Sequence, residues 1–179
     1  MHELTPSWRF WAFWALAFVG FPMAGVASNL VATVTTPARA LISGLVAGAT
    51  LGLVQWFVLR PHLPLLPIGW VAATSAGLAI GLALSTALLG IEMTGNGLLY
   101  RAAITGLTLG VAQWLVLQRV IPQSHLWVAV VCAGWVLGWS IMRGIGVNLT
   151  YHWTVFGSAG ALVYQLITGL ALHYLLRSA

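Results

Sequence analysis

The feature that most constrains this chain is an apolar pattern that occurs three times at a near-constant offset. Phe13, Trp70 and Trp127 stand 57 residues apart, as do Gly20, Gly77 and Gly134, and again Ala24, Gly81 and Gly138. Between them runs a second pattern. Gly48-x-x-x-Gly52-x-x-Gln55-Trp56-x-x-Leu59-Arg60 returns as Gly106-x-x-x-Gly110-x-x-Gln113-Trp114-x-x-Leu117-Gln118. Each unit therefore reads as two helices, the first with an aromatic and glycines, the second with glycines and Gln-Trp.

The solvent for these helices follows from composition: 60% of residues are hydrophobic, 5% are charged and the mean hydropathy is +0.97. Soluble domains carry about 25% charge, so lipid is the expected surroundings. A hydrocarbon core about 30 Å thick needs roughly 20 apolar residues per helix. Six such stretches are predicted: Trp8 to Val34, Arg39 to Leu59, Ile68 to Ile91, Leu98 to Leu117, Leu126 to Ile145 and Thr154 to Leu176. The first is too long for a signal peptide, has Glu3 as well as Arg9 in its flank, and supplies one copy of the repeat, so it is kept in the mature protein.

The predicted fold is an all-α integral membrane protein, residues 1–179 forming a single transmembrane domain. Its six transmembrane helices form three tandem two-helix repeats, approximately 8–60, 68–118 and 126–177. Because each unit crosses twice, successive units enter the membrane in the same direction, and parallel repeats are related by an axis along the membrane normal. Three of them imply pseudo-threefold symmetry.

All seven cations are arginines, against two glutamates. Six spans put both termini on one side together with Arg9, Arg60, Arg119 and Arg177, while Arg39, Arg101 and Arg143 fall on the other; by the positive-inside rule the termini are cytoplasmic. Arginines at helix ends meet lipid headgroups or loop carbonyls rather than nucleic acid. The expected partners are membrane lipids and other membrane subunits or further copies of the chain, with no nucleic acid. Cys132 is alone, which rules out an internal disulfide and leaves a cysteine metal cluster unsupported.

Glycines four apart (Gly44, Gly48 and Gly52; Gly77 and Gly81; Gly106 and Gly110; Gly134 and Gly138) form smooth stripes suited to close helix contact. At about 100° per residue, Gln55 lies within roughly 60° of Gly48 and Gly52, so the glutamines are expected to face protein. Pro22 should kink the first span and free a carbonyl. Pro61, Pro64 and Pro67 read as a stiff loop.

Gln55 with Trp56, and Gln113 with Trp114, are candidate ligand-binding pairs, the amide holding a polar group of a lipophilic molecule and the indole stacking on it. Interhelical hydrogen bonding is the other reading of the same amides. The third unit departs from the pattern: Gln165 replaces the first glycine, and Leu172-His173 stand where Gln-Trp would be. An intramembrane histidine invites haem or chlorin ligation or a proton relay, yet His173 is only about one turn from Arg177 and can reach interfacial water. Arg39, Arg101 and Arg143 form a candidate anion or lipid-headgroup site with Glu92 and His152 nearby, and a Glu92–Arg101 ion pair across the short turn is easy geometrically. His2, His62 and His125 read as surface histidines and no metal site is assigned. Trp8, Trp70, Trp127 and Trp153 begin spans and fit an aromatic belt, whereas Trp11, Trp14, Trp135 and Trp139 lie deeper, against lipid, pigment or a neighbouring subunit. Asn148-Leu149-Thr150 fits a glycosylation acceptor.

No paired carboxylates, nucleophile with a base, phosphate loop or His-Glu-x-x-His motif occurs, and the chain has neither Asp nor Lys. Six spans in three hairpins resemble the topology of mitochondrial carriers, but their Pro-x-acidic-x-x-basic signature has no counterpart here. The expected function is therefore a non-catalytic scaffold or accessory subunit of a membrane complex, or a binder of a lipophilic ligand such as a lipid, quinone, pigment or haem. The alternative is a small transporter or channel for a neutral or weakly polar solute, with Gln55, Gln113, Gln165 and His173 lining its path.

Overall fold

A computed structural model describes residues 8–63, 65–91, 96–121, 123–146 and 155–177. All regular structure in these residues is helical. The first span is interrupted: α1 (Trp8–Leu16) passes into a 3-10 turn (Ala17–Val19) and then into α2 (Gly20–Val31). Pro22 sits in the first turn of α2, where a missing N–H costs little, and its ring opposes a continuous α-helix back through Phe18. The break thus falls ahead of the proline that the sequence singles out.

The remaining elements are α3 (Pro37–Leu59), α4 (Gly69–Leu89), α5 (Gly97–Leu117), α6 (Leu126–Gly144) and α7 (Ser158–Arg177). Several ends differ from the expected ones. The first span stops at Val31 rather than Val34, because Ala32 is extended (φ −156, ψ 124). Thr36 then caps α3 through its side chain, which accepts from the Arg39 N–H at 3.2 Å, and Pro37 takes the first helical position. At the end of α4 Gly90 has φ +73 and ψ −160, a conformation open to glycine and little else, so this helix ends at Leu89 rather than Ile91. α6 ends at Gly144, one residue short of Ile145. Thr154 lies outside the described residues, and α7 begins at Ser158.

Five spans, Trp8–Val31, Pro37–Leu59, Gly69–Leu89, Leu126–Gly144 and Ser158–Arg177, are long and apolar enough to cross a membrane. This makes the chain a helical bundle of the multi-pass membrane type. α5 is 21 residues long but more polar, and its Arg101, Thr105 and Gln113 are all buried.

Every helix packs on the next, and α7 returns onto α1 and the 3-10 turn, so the bundle is a closed ring. Glycines make each of these seams tight. In α3 a methyl on Gly44 would lie 2.5 Å from the Ala79 Cα of α4, and one on Gly48 2.5 Å from the Ser75 Cα. Gly77 and Gly81 of α4 meet Leu109 and Thr105 of α5, whereas Gly106 and Gly110 of α5 meet Cys132 and Val128 of α6. Gly160 of α7 lies on the Gly138 carbonyl of α6, and Gly169 of α7 lies on Trp11 and Trp14 of α1. Close backbone approach is what drives association where lipid and leucine are equally apolar.

The tryptophans turn inward more than expected. Trp70 and Trp127 are 0% and 1% exposed, and Trp14, Trp135 and Trp139 belong to the same continuous core, so they serve the bundle rather than an aromatic belt, a pigment or another subunit. Trp8, by contrast, is exposed. Phe13 is the odd member of its repeat, at 56% exposed, with Phe10 and Trp14 taking the inward places. The 3-10 turn supplies a reason: three residues at about 120° instead of 100° rotate α1 by roughly 60° relative to α2.

Candidate functional site

Gln55 and Gln113, 1% and 0% exposed, meet inside the bundle. Gln113 is the centre of the contact: its Nε2 donates to Thr74 Oγ1 at 3.0 Å and to Gln55 Oε1 at 3.4 Å, and its Oε1 accepts from Trp127 Nε1 at 3.1 Å. Thr74 Oγ1 in turn donates to the Trp70 carbonyl at 2.8 Å. Four helices, α3 to α6, are thereby tied at one level. Thr74 and Trp127 were not singled out as partners, although Trp127 is a repeat position and Thr74 lies one turn after its counterpart Trp70. Trp70 does not reproduce the bond that Trp127 makes, because its Nε1 is buried without a partner while Gln55 Oε1 is turned to Gln113.

The two neighbouring indoles point elsewhere, as residues about 100° apart on a helix must. Trp56 Nε1 donates to the Leu66 carbonyl at 3.3 Å, and the Arg60 guanidinium lies 5.2 Å from its ring and 4.7 Å from that of Phe57. Trp114 is half-buried and its Nε1 has no partner. The Arg60 contact pins the loop after α3. Arg60→Ala is expected to lower stability by about 0.5–1 kcal/mol, the range of an exposed cation–π contact, read as a small drop in the thermal midpoint in detergent.

Gln165 and His173 lie apart from this network, on the seam where α7 closes against α1. Gln165, 0% exposed, donates from Nε2 to the Trp14 carbonyl at 3.0 Å, and Trp14 Nε1 donates to Thr168 Oγ1 at 3.2 Å. The carbonyl next to the 3-10 turn thus finds its partner in the unit that lacks the glycine. His173 is half-buried with its ring 5.5 Å from that of Trp11, and its Nδ1 is buried without a partner. His62 makes a related contact on the other side of α1, its ring 4.9 Å from Phe10 and its Nδ1 3.2 Å from the Val58 carbonyl.

Arg101 is 2% exposed, unlike the exposed Arg39 and Arg143. Its guanidinium donates to Thr86 Oγ1 at 3.0 Å and to the Gly90 carbonyl, fastening the end of α4 to α5. Arg39 Nε donates to the Thr33 carbonyl at 3.3 Å, closing the short link before α3. Arg101 and Arg39 thus each fasten a local link with their guanidinium groups. Glu92, His152, His2, Trp153 and the Asn148-Leu149-Thr150 motif lie outside the described residues.

A cleft of about 600 Å³ was not expected. It is lined by Phe21, Pro22, Gly25, Val26, Asn29 and Leu30 of α2 and by Val155 to Ser158 at the start of α7. Phe21 and Phe156 stack at its base, with centroids 4.8 Å apart and planes at 20°, backed by Trp135 and Tyr164. The Asn29 Oδ1 is buried with no hydrogen-bond partner. Its signal in the sequence is slight: Asn29 is the one amide in the apolar run of the first span.

No family profile, curated protein or solved structure matches this chain.

Proposed function

We propose that the protein is a non-catalytic scaffold or accessory subunit of a membrane assembly. The observation that carries this reading is that Gln55, Gln113 and Gln165, the buried amide side chains, hydrogen-bond one another or the backbone inside a packed core. A path for solute would need these groups to face an opening; their bonds fasten helices instead. The expected result is co-purification with other membrane chains, or assembly of several copies, after mild extraction and cross-linking mass spectrometry. A monodisperse monomer bearing no other chain would overturn the reading.

A second reading, that the protein holds a lipophilic molecule, is favoured by the cleft beside Pro22 and Asn29.

The same proposal includes three two-helix units about a pseudo-threefold axis along the membrane normal, with α5 crossing as the fourth span and the termini on the cytoplasmic side. Three contacts support the symmetry. Gly52 lies on Val71, Gly110 on Val128 and Gly169 on Trp14, and Trp14, Val71 and Val128 are 57 residues apart. The arginine distribution supports the orientation.

A further inference from the structure

The cleft between α2 and the start of α7 has a direction. Asn29 lies eight residues after Phe21, about 12 Å along the helix axis, so the cleft places an amide at one end and the stacked Phe21 and Phe156 rings at the other. Asn29 is two residues from the end of α2 at Val31, which puts the amide near the edge of the span and the rings deeper in it. This is the polarity of an amphiphile standing in a bilayer leaflet.

Three further observations narrow the class. Among the described residues the lining contains no ionisable side chain, so a full charge would meet no counter-charge from them. Its volume, about 600 Å³, falls in the range of about 300–1,000 Å³ typical of sites for small molecules. The unsatisfied group is an acceptor, Asn29 Oδ1, which only a donor can satisfy. Phosphodiester and ester oxygens of phosphatidylcholine offer no donor. A hydroxyl donates, and it brings no charge with it.

We infer that this cleft binds a neutral lipid carrying a free hydroxyl, its O–H directed to the Asn29 carboxamide and its apolar part laid along Pro22 and Gly25 onto Phe21 and Phe156. The inference rests on the lipophilic-ligand reading and adds the headgroup chemistry. Gly25 contributes to the fit because it has no side chain: a methyl there would make only ordinary contact, 3.7 Å from Val155 Cγ2, whereas a leucine would project into the space.

The test uses the full chain in phosphatidylcholine vesicles with two photoreactive probes, a diazirine-bearing octadecanol and its methyl ether, and maps the labelled peptides. The alcohol is expected to label the segments at 21–30 and 155–158 about fivefold more than the ether, the scale of one neutral hydrogen bond. Asn29→Leu should abolish that preference, and Gly25→Leu should remove labelling by both probes at these segments. Thermal melts check that both variants fold; should Gly25→Leu not fold, competition by unlabelled octadecanol replaces it. Equal labelling of the cleft by alcohol and ether, or an unchanged preference in Asn29→Leu, overturns the hydroxyl assignment and leaves the lipophilic-site reading standing. Labelling by both probes spread over exposed positions such as Phe13, Leu16 and Met23, with none at the cleft, overturns both.

Discussion

Adding one methyl group at Gly48 is expected to cost about 3 kcal/mol or more, at the upper end of what overpacking costs in a tight core. The new carbon would lie 2.5 Å from the Ser75 Cα, 2.6 Å from the Thr74 carbonyl oxygen and 2.9 Å from the Ser75 nitrogen. All three are backbone atoms, so no rotamer change relieves the clash and α3 must part from α4. α4 cannot simply retreat, because Gly77 and Gly81 hold its other side against the Leu109 and Thr105 backbone of α5. Gly25→Ala is the matched control. Its methyl finds only Val155 Cγ2 at 3.7 Å, and the gain in helix propensity is expected to leave stability unchanged or raise it by up to about 1 kcal/mol. Unfolding by sodium dodecyl sulfate, followed through tryptophan fluorescence, compares the two in one assay. If Gly48→Ala melts like Gly25→Ala, the seams are not held by backbone approach.

Much of this arrangement is legible in the sequence because membrane packing leaves few options. Glycines at a spacing of four mark the contact faces, and the angle between Gly52 and Gln55 foretells the burial of both glutamines. What periodicity does not convey is the partner. Each seam joins a glycine face to a helix whose identity depends on how the ring closes, and Gln113 reaches Thr74 and Trp127 only because α4 and α6 flank α5. The same limit explains the tryptophans. A tryptophan at the start of a span suits the interface and the core equally by composition; the side it faces is set by helix rotation. In the first unit that rotation is altered by the 3-10 turn at Ala17–Val19, which moves Trp14 inward and Phe13 outward. The cleft lies where α2 leaves α7 after this break, at a place no repeat marks.

Gln113→Leu is the second large effect expected, and it separates the two meanings of the buried amides. Removing the carboxamide leaves Trp127 Nε1 and Gln55 Oε1 without partners and takes a donor from Thr74, all in the bundle interior. Hydrogen bonds between membrane helices average about 0.6 kcal/mol and reach about 1.7, so three lost together imply about 2–3 kcal/mol. The bonds share one residue, and their losses are coupled. Gln55→Leu alone removes only the 3.4 Å contact, and in the Gln55→Leu, Gln113→Leu double variant the two costs should sum to more than the measured loss. Trp127→Phe leaves a cavity in either background, but in Gln113→Leu it also removes an orphaned indole N–H, so it should cost about 1 kcal/mol less there than in the unaltered protein. Strict additivity of Gln55→Leu and Gln113→Leu, with Trp127→Phe costing the same in both backgrounds, would mean that the hydrogen bonds do not stabilise the bundle and that the amides are retained for another reason. Leu172 gives the outcome a reference, since counting from Gly169 it occupies the sequence position that matches Gln113, and it is fully buried. The coupling energy between Gln55 and Gln113 measures how strongly the two amides fix which helices adjoin.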